Sequence, residues 1–232
     1  MSKRHPGSRR VRHTHSQDPD TVFVEKASAV VGWIRSHQNL ATAAVIVLAV
    51  AVAGVFYFRD QERQVTALAR DELALAHSLL AQADEEGAKA SLVSLLENFG
   101  GTAHAPEARL VLGELYLNSD DSEQAVVVLD PVGRSPSSPI ELQAAALLAA
   151  ALEQENEPDE AETLYLEIAD RAELAYQKRD AFAAAARLRV GRGDLAGAAA
   201  LYEEILASFE DNDPDRGRYV MRLEGLRTAM GN

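Results

Sequence analysis

Small and apolar residues recur at helical spacing, and again at a longer period, along the chain from about residue 65 onwards. Four alanines align at intervals of 37, 36 and 37 residues. An apolar or aromatic residue stands four positions after each alanine, and another stands seven positions after it. Positions i, i+4 and i+7 share one face of a helix, so each unit is predicted to contain an amphipathic helix whose alanine lies at a close helix contact. The alanines are Ala88, Ala125, Ala161 and Ala198, and the residues four positions later are Leu92, Leu129, Tyr165 and Tyr202.

A second helical segment precedes each of these helices. Twelve residues before each alanine stands another small residue, and a short polar stretch separates the two segments. Each unit is therefore predicted to be a helical hairpin, in which helix A and helix B are joined by a polar turn. A final segment, 217–230, places Tyr219, Leu223 and Leu226 on one face and is predicted to cap the array. The small residues of helix A are Ala76, Gly113, Ala149 and Ala186.

The clearest helix A reads Leu112-Gly113-Glu114-Leu115-Tyr116, and Ala125 follows twelve residues after its glycine. This L-G-x-x-Y arrangement resembles the tetratricopeptide repeat (TPR) over residues 65–209, although the family period is about 34 residues and these units are longer. The resemblance implies an all-α fold, an α-solenoid of about four degenerate TPR-like hairpins with a C-terminal capping helix. Helix A lines the inner face in this family. The candidate contacts with a protein partner are therefore Glu72, Arg109, Gln143 and Arg179.

The stretch Leu40–Phe58, LATAAVIVLAVAVAGVFYF, contains no charged residue. At about 1.5 Å per residue its length reaches roughly 28 Å, close to the hydrocarbon thickness of a bilayer. Charged residues follow it directly, without a small-residue cleavage site, which favours an uncleaved anchor over a secretory signal peptide. The sequence thus predicts a single transmembrane helix over 40–58, and a buried core helix is the alternative.

Charge divides the chain on either side of this stretch. Residues 1–39 hold seven Lys or Arg and three acids, a net charge of +4, which leaves −17 for the rest of a chain of net charge −13. The positive-inside rule places the basic end in the cytoplasm and the acidic body outside it. The predicted parts are a disordered basic cytoplasmic arm (1–20), an amphipathic juxtamembrane helix (21–38), the span (40–58) and an extracytoplasmic TPR-like domain (59–232).

The wider layout resembles a narrower group. A basic arm, an amphipathic segment containing Val24-Glu25-Lys26, one span and degenerate repeats are similar to the single-pass ancillary TPR subunit of the bacterial Sec translocon. The resemblance implies a protein of the bacterial inner membrane whose periplasmic repeats contact translocon subunits, periplasmic chaperones or newly exported chains. The alternative is a scaffold that forms homo-oligomers during cell-envelope assembly or division. A third alternative, a soluble cytoplasmic repeat protein, requires Leu40–Phe58 not to be a span.

Candidate chemistry in the sequence is sparse. The chain has no cysteine, which removes disulfide frameworks and thiolate sites. The acidic run 211–217 begins like a calcium loop, but Arg222 stands where a bidentate glutamate is required. Arg192-Gly193-Asp194 has the form of an adhesion motif, yet its place between helix A and helix B indicates a turn. The basic arm has no aromatic residue among its cations, which argues against nucleic-acid binding. We expect no enzyme activity, no metal and no cofactor.

Overall fold

The computed structural model describes residues 38–210 and 213–231, and within these ranges all regular structure is α-helical. The predicted all-α fold is confirmed for this part of the chain. The basic arm (1–20) lies outside the described residues, as does the predicted amphipathic segment up to residue 37. The helices are α1 (Gln38–Ala81), α2 (Glu85–Phe99), α3 (Ala105–Asn118), α4 (Ser122–Gly133), α5 (Pro139–Gln154), α6 (Pro158–Arg171), α7 (Ala175–Gly191), α8 (Leu195–Ala207) and α9 (Arg216–Met230).

Two compact units divide the chain, Met1–Gln61 and Glu62–Asn232. In the first unit, residues 38–61 form the beginning of α1. No helix among the described residues combines the length and the hydropathy needed to cross a membrane. Large apolar side chains of this unit are exposed, among them Ile46, Val47, Leu48, Val50, Phe56 and Phe58.

The second unit is a stack of four helical hairpins followed by a single helix. The end of α1 forms the first hairpin with α2, and the next three are α3 with α4, α5 with α6, and α7 with α8. Neighbouring hairpins also contact each other, because α2 packs on α3, α4 on α5, and α6 on α7, while α9 packs on α8. Each hairpin therefore completes its core with its neighbours, as in other repeat arrays. The arrangement is consistent with the predicted TPR-like solenoid.

Small residues occupy the positions where the helices of this stack come closest. Gly113 takes the helix A position of the second hairpin, where a Cβ atom would lie 2.5 Å from Cγ of Leu129. Tyr165 and Tyr202, in the buried stripes of the third and fourth hairpins, are also buried. The alanines of the repeat pattern have no exposed surface: Ala76, Ala149 and Ala186 in helix A, and Ala88, Ala125, Ala161 and Ala198 in helix B.

The four turns between helix A and helix B share one backbone feature. Each contains a residue with positive φ, and these residues are spaced at the same intervals as the alanines. The next backbone N–H in each turn donates to the carbonyl oxygen five residues earlier, for example from Asp84 to Leu79 at 2.9 Å. This bond closes helix A with a left-handed C-terminal cap. The residues with positive φ are Ala83 (59°), Asp120 (57°), Asn156 (61°) and Gly193 (85°).

Helix B begins on an aspartate in three of the four hairpins. The carboxylates of Asp84, Asp121 and Asp194 each accept a hydrogen bond from the backbone N–H three residues later. In the third hairpin Glu157 takes this place without a side-chain cap. The polar stretches of the sequence thus determine both where helix A ends and where helix B begins.

Candidate functional site

A groove opens between the helix A elements of the third and fourth hairpins. α3 packs closely on α5, but α5 and α7 leave a cavity of 310 Å³ between them. Its floor comes from α6, so all three helices of this part of the stack contribute to it. The lining includes Leu142, Gln143 and Ala146 of α5, Tyr176, Gln177 and Asp180 of α7, and Tyr165 and Ile168 of α6.

This cavity continues towards the loops that precede α5 and α7. A second cavity of 320 Å³ shares Leu142 and Gln177 with the first and reaches the loop before Pro139. We call the two together the α5/α7 groove. Tyr176 is 54% exposed and Leu174 is 51% exposed along it. Exposed aromatic and aliphatic side chains beside amide groups form a surface suited to a protein partner, because they offer both apolar area and hydrogen bonds.

A charged cluster joins the three helices around the groove. Both terminal nitrogens of the Arg187 guanidinium donate to the Glu153 carboxylate, at 2.6 and 2.8 Å, which links α7 to α5. The Tyr165 hydroxyl of α6 donates to the same carboxylate at 2.9 Å. Burial, reinforced by the Glu153 charge, raises the pKa of Tyr165, so its hydroxyl stays protonated and keeps donating. The groove is therefore held by fixed hydrogen bonds as well as by apolar packing.

A second charged cluster links α6 to the end of α7. Glu162 is only 5% exposed, and its Oε1 accepts a hydrogen bond from Nε of Arg189 at 2.7 Å. Its Oε2 receives no well-directed hydrogen bond but lies 2.5 Å from Nη1 of Arg192. The carboxylate of Asp194 caps α8 through the N–H of Gly197. Arg192 thus pairs with α6 of the neighbouring hairpin, while Asp194 caps α8 of its own hairpin. Both charged side chains of Arg192-Gly193-Asp194 have partners within the stack, as expected of a turn rather than an adhesion ligand.

Among the four residues predicted to contact a partner, Gln143 is exposed and lines the α5/α7 groove. Glu72 instead joins the two helices of the first hairpin. Its carboxylate and its carbonyl oxygen both accept hydrogen bonds from the Ser91 hydroxyl, at 2.9 and 3.2 Å. Gln143 is therefore placed at a groove, and Glu72 is placed in the packing of helix A on helix B.

The two predicted arginines also make contacts within the stack. Arg109 donates to the carbonyl oxygen of Val128 at 3.2 Å, and burial lowers the pKa of its guanidinium. The guanidinium of Arg179 lies over the ring of Phe209, 4.3 Å from its centroid. These contacts connect α3 to α4, and α7 to the segment after α8. A role of any of the four residues in partner binding stays a prediction.

Tyr176 and Leu174, the most exposed apolar residues of the groove, were not among the predicted contacts. The sequence does hold a signal for Tyr176. The other apolar positions of this helix A are mainly alanines, so a tyrosine near its start does not fit the small-residue pattern. A large aromatic side chain outside the buried stripe of a repeat indicates a surface function.

The described residues offer no candidate metal centre. No group of three or more His, Asp or Glu side chains within 38–210 and 213–231 could hold a metal ion. Residues 211 and 212 of the acidic run, which begins like a calcium loop, lie outside the described ranges.

The stacked hairpins, with a groove between the helix A elements of the third and fourth hairpins, define a helical repeat protein. A family model described as a tetratricopeptide repeat-like domain matches residues 32–175. These residues are more than half of the chain, and the chain belongs to this family. Domains of this kind are generally non-catalytic interaction modules, and the match shows no enzymatic family. No curated protein matches the chain.

Proposed function

We propose that the chain is a non-enzymatic adaptor that binds polypeptide segments in the α5/α7 groove. The observation that carries this proposal is the exposure of Tyr176 at the wall of a groove between helix A elements in a TPR-like domain. The ring offers apolar contact area at a low cost in conformational entropy. The amides of Gln143 and Gln177 line the same groove and can pair with the backbone of an extended segment. Binding, not chemistry, is what this surface supports.

The finer part of the proposal is that the adaptor is anchored in the bacterial inner membrane and assists protein export. In the first unit, exposed side chains such as Phe56 and Phe58 form an apolar stretch. Leaving such a surface in water costs about 25 cal/mol per Å², so it requires a cover, and an uncharged stretch of this length suits a bilayer. Residues 41, 44 and 45 of the stretch have side chains outside the described set. The family match begins at residue 32 and so includes the whole stretch.

The proposed partners follow from this location. With the amino-terminal end in the cytoplasm, the repeat domain lies in the periplasm, where translocon subunits, chaperones and newly exported chains are within reach. The net charge of −17 beyond residue 39 favours basic or extended segments. Self-association into an envelope scaffold is the competing function.

Site-specific photo-crosslinking in native membranes tests the groove. A photoreactive amino acid replaces Tyr176 or Gln143 in the full-length chain, and a matched control replaces Ala200, which is exposed on helix B of the fourth hairpin. Crosslinks from 176 and 143, but not from 200, to translocon subunits, chaperones or exported chains support the adaptor. Crosslinks only to other copies of the chain support the scaffold instead. Equal crosslinking from all three positions would remove the groove from the proposal.

Alkaline carbonate extraction tests the anchor separately. We expect the full-length chain to stay in the membrane pellet, and a variant with Val47→Asp and Val50→Asp to move to the supernatant because two charges oppose insertion. Recovery of the unaltered chain in the supernatant would overturn the anchor and leave the groove proposal standing.

A further inference from the structure

A second groove lies between α7 and α9, outside the residues that the family model matches. Its cavity measures 770 Å³. α7 contributes Ala183, Ala184 and Val190 to one wall, and α9 contributes Met221 and Arg222 to the other. We call it the α7/α9 groove. It uses the C-terminal half of α7, whereas the α5/α7 groove uses the N-terminal half.

The two walls of this groove are basic, although the body of the chain is acidic. α7 holds four basic residues and one acidic residue, and α9 has the same balance. The chain beyond residue 39 nevertheless has a net charge of −17. The lining of the α7/α9 groove itself holds three arginines and no acidic residue. Positive charge is therefore concentrated at the groove, where it attracts a negatively charged group.

The arginines that line the groove differ in the hydrogen bonds and ion pairs that they already form within the protein. Arg187 is paired with Glu153 through two hydrogen bonds. Arg218 donates to the Tyr219 hydroxyl at 2.9 Å and stacks over its ring. Arg222 makes no ion pair or side-chain hydrogen bond with any described residue. Its guanidinium is thus available to bind a carboxylate at two points.

Apolar side chains beside Arg222 add a second recognition element. Met221 is 72% exposed, and Val190 is exposed on the opposite wall. Methionine is flexible and polarizable, so it adapts to an aliphatic or aromatic side chain of a partner. A ligand that fits the groove therefore combines negative charge with an apolar group.

We infer that the α7/α9 groove is a docking site for an acidic polypeptide segment that carries an apolar side chain among its carboxylates. The surface does not match a single-stranded nucleic acid, because the groove presents no row of exposed aromatic rings on which bases could stack. This site is independent of the α5/α7 groove. The site prefers acidic segments, whereas the net charge of the body as a whole favours basic ones.

Fluorescence anisotropy with the full-length chain in detergent tests this inference. The probe is a fluorescein-labelled peptide of alternating glutamate and leucine. We expect Arg222→Ala to weaken binding about tenfold, because hydrogen bonds between charged groups are lost. Met221→Ala should weaken it about threefold by removing apolar contact. Arg216→Ala is the matched control, because it removes the same charge from the same helix at a residue that does not line the groove.

Further comparisons make each outcome decisive. Tyr176→Ala alters only the other groove and should leave the affinity unchanged, so failure of one site is distinguishable from failure of the other. Equal losses of peptide affinity in Arg222→Ala and Arg216→Ala would overturn the site, because they would show that net charge alone attracts the peptide. No binding of the peptide would also overturn it, as would tighter binding of a single-stranded oligonucleotide than of the peptide.

Discussion

At the scale of single residues, the stack depends on side chains that are small or absent. Leu129 occupies the space that a Cβ of Gly113 would need, and the corresponding alanines of the other hairpins have no exposed surface. Protein interiors are packed at crystal-like density, so an added methyl group must displace its neighbours. The small residues set the distance between helix A and helix B.

Gly113→Ala tests this point, because its two effects have opposite signs. Alanine is preferred over glycine within a helix by about 1 kcal/mol. We nevertheless expect a net loss of about 1–3 kcal/mol in the free energy of unfolding, because overpacking against Leu129 outweighs helix propensity. Gly225→Ala in α9 is the control, since a Cβ there would have no neighbour within 4 Å. It should be neutral or stabilising in urea unfolding followed by circular dichroism; stabilisation by both substitutions would contradict the close contact.

Glu141 provides a residue-scale prediction about pH. It forms a capping box with Ser138 at the start of α5, and hydrogen bonds led by the one from the Ser137 hydroxyl lower its pKa from the ordinary value of 4.5. Because the pKa is lower in the folded state, the stabilisation is present above about pH 4.5 and is lost as the pH falls through the folded-state value.

We therefore expect Glu141→Ala to cost about 1 kcal/mol at neutral pH and less in acid. The measurement is urea unfolding of both proteins across this pH range. Glu114→Ala, an exposed site on α3, serves as the control and should show no such trend. If Glu141→Ala lowered the free energy of unfolding by the same amount at every pH, the charge of the Glu141 carboxylate would not contribute to stability.

At the scale of the element, the A-to-B turns keep one geometry with four different residues. Ala83, Asp120, Asn156 and Gly193 all have positive φ at equivalent positions. Asparagine and glycine tolerate this region, whereas alanine pays a steric cost of roughly 1–2 kcal/mol there. The backbone requirement of the hairpin therefore outweighs the preference of the residue in the first turn.

Exchanging residues in these turns should have opposite effects. Ala83→Gly relieves strain and should stabilise the chain by up to about 1 kcal/mol, whereas Gly193→Ala should destabilise it by about 1 kcal/mol. Ala90→Gly, at an exposed position within α2, is the control for glycine itself and should cost about 0.5–1 kcal/mol. Thermal unfolding of the three variants gives the comparison; a destabilising Ala83→Gly would argue against a left-handed residue in the first turn.

The sequence predicted these elements well because periodicity reports which face of a helix is buried. The alanines and the turns follow the same spacing, so the sequence predicted both the helices of each hairpin and the turn between them. The sequence did not predict the α5/α7 groove, because the distance between α5 and α7 depends on packing between residues far apart in the sequence. The same limit applies to Arg109, for which helical spacing gives a face but not the nearby carbonyl of Val128. The buried Glu162, paired with arginines from another helix, was missed for the same reason.

At the scale of the whole molecule, the helices of the second unit, Glu62–Asn232, contact mainly their neighbours along the chain. Stability in such an array is approximately a sum of local terms and interfaces between neighbours. α9 closes the described end of the stack through Tyr219. The centroid of its ring lies 6.3 Å from the ring centroid of Tyr202 and 5.5 Å from that of Phe209. The effect of a change in this helix should therefore be greatest in the fourth hairpin.

Tyr219→Ala tests this local stability. Tyr219 is buried, and loss of a buried aromatic side chain costs about 3–5 kcal/mol. In hydrogen exchange with mass spectrometry, we expect protection to fall in α8 and α9. α2 and α3 should keep theirs, because at least three interfaces separate them from the altered helix. Met221→Ala, on the same helix but exposed, should change neither region. Equal loss of protection from α2 to α9 would instead show that the stack unfolds as one cooperative unit, and the effect of a substitution would then not depend on its distance along the array.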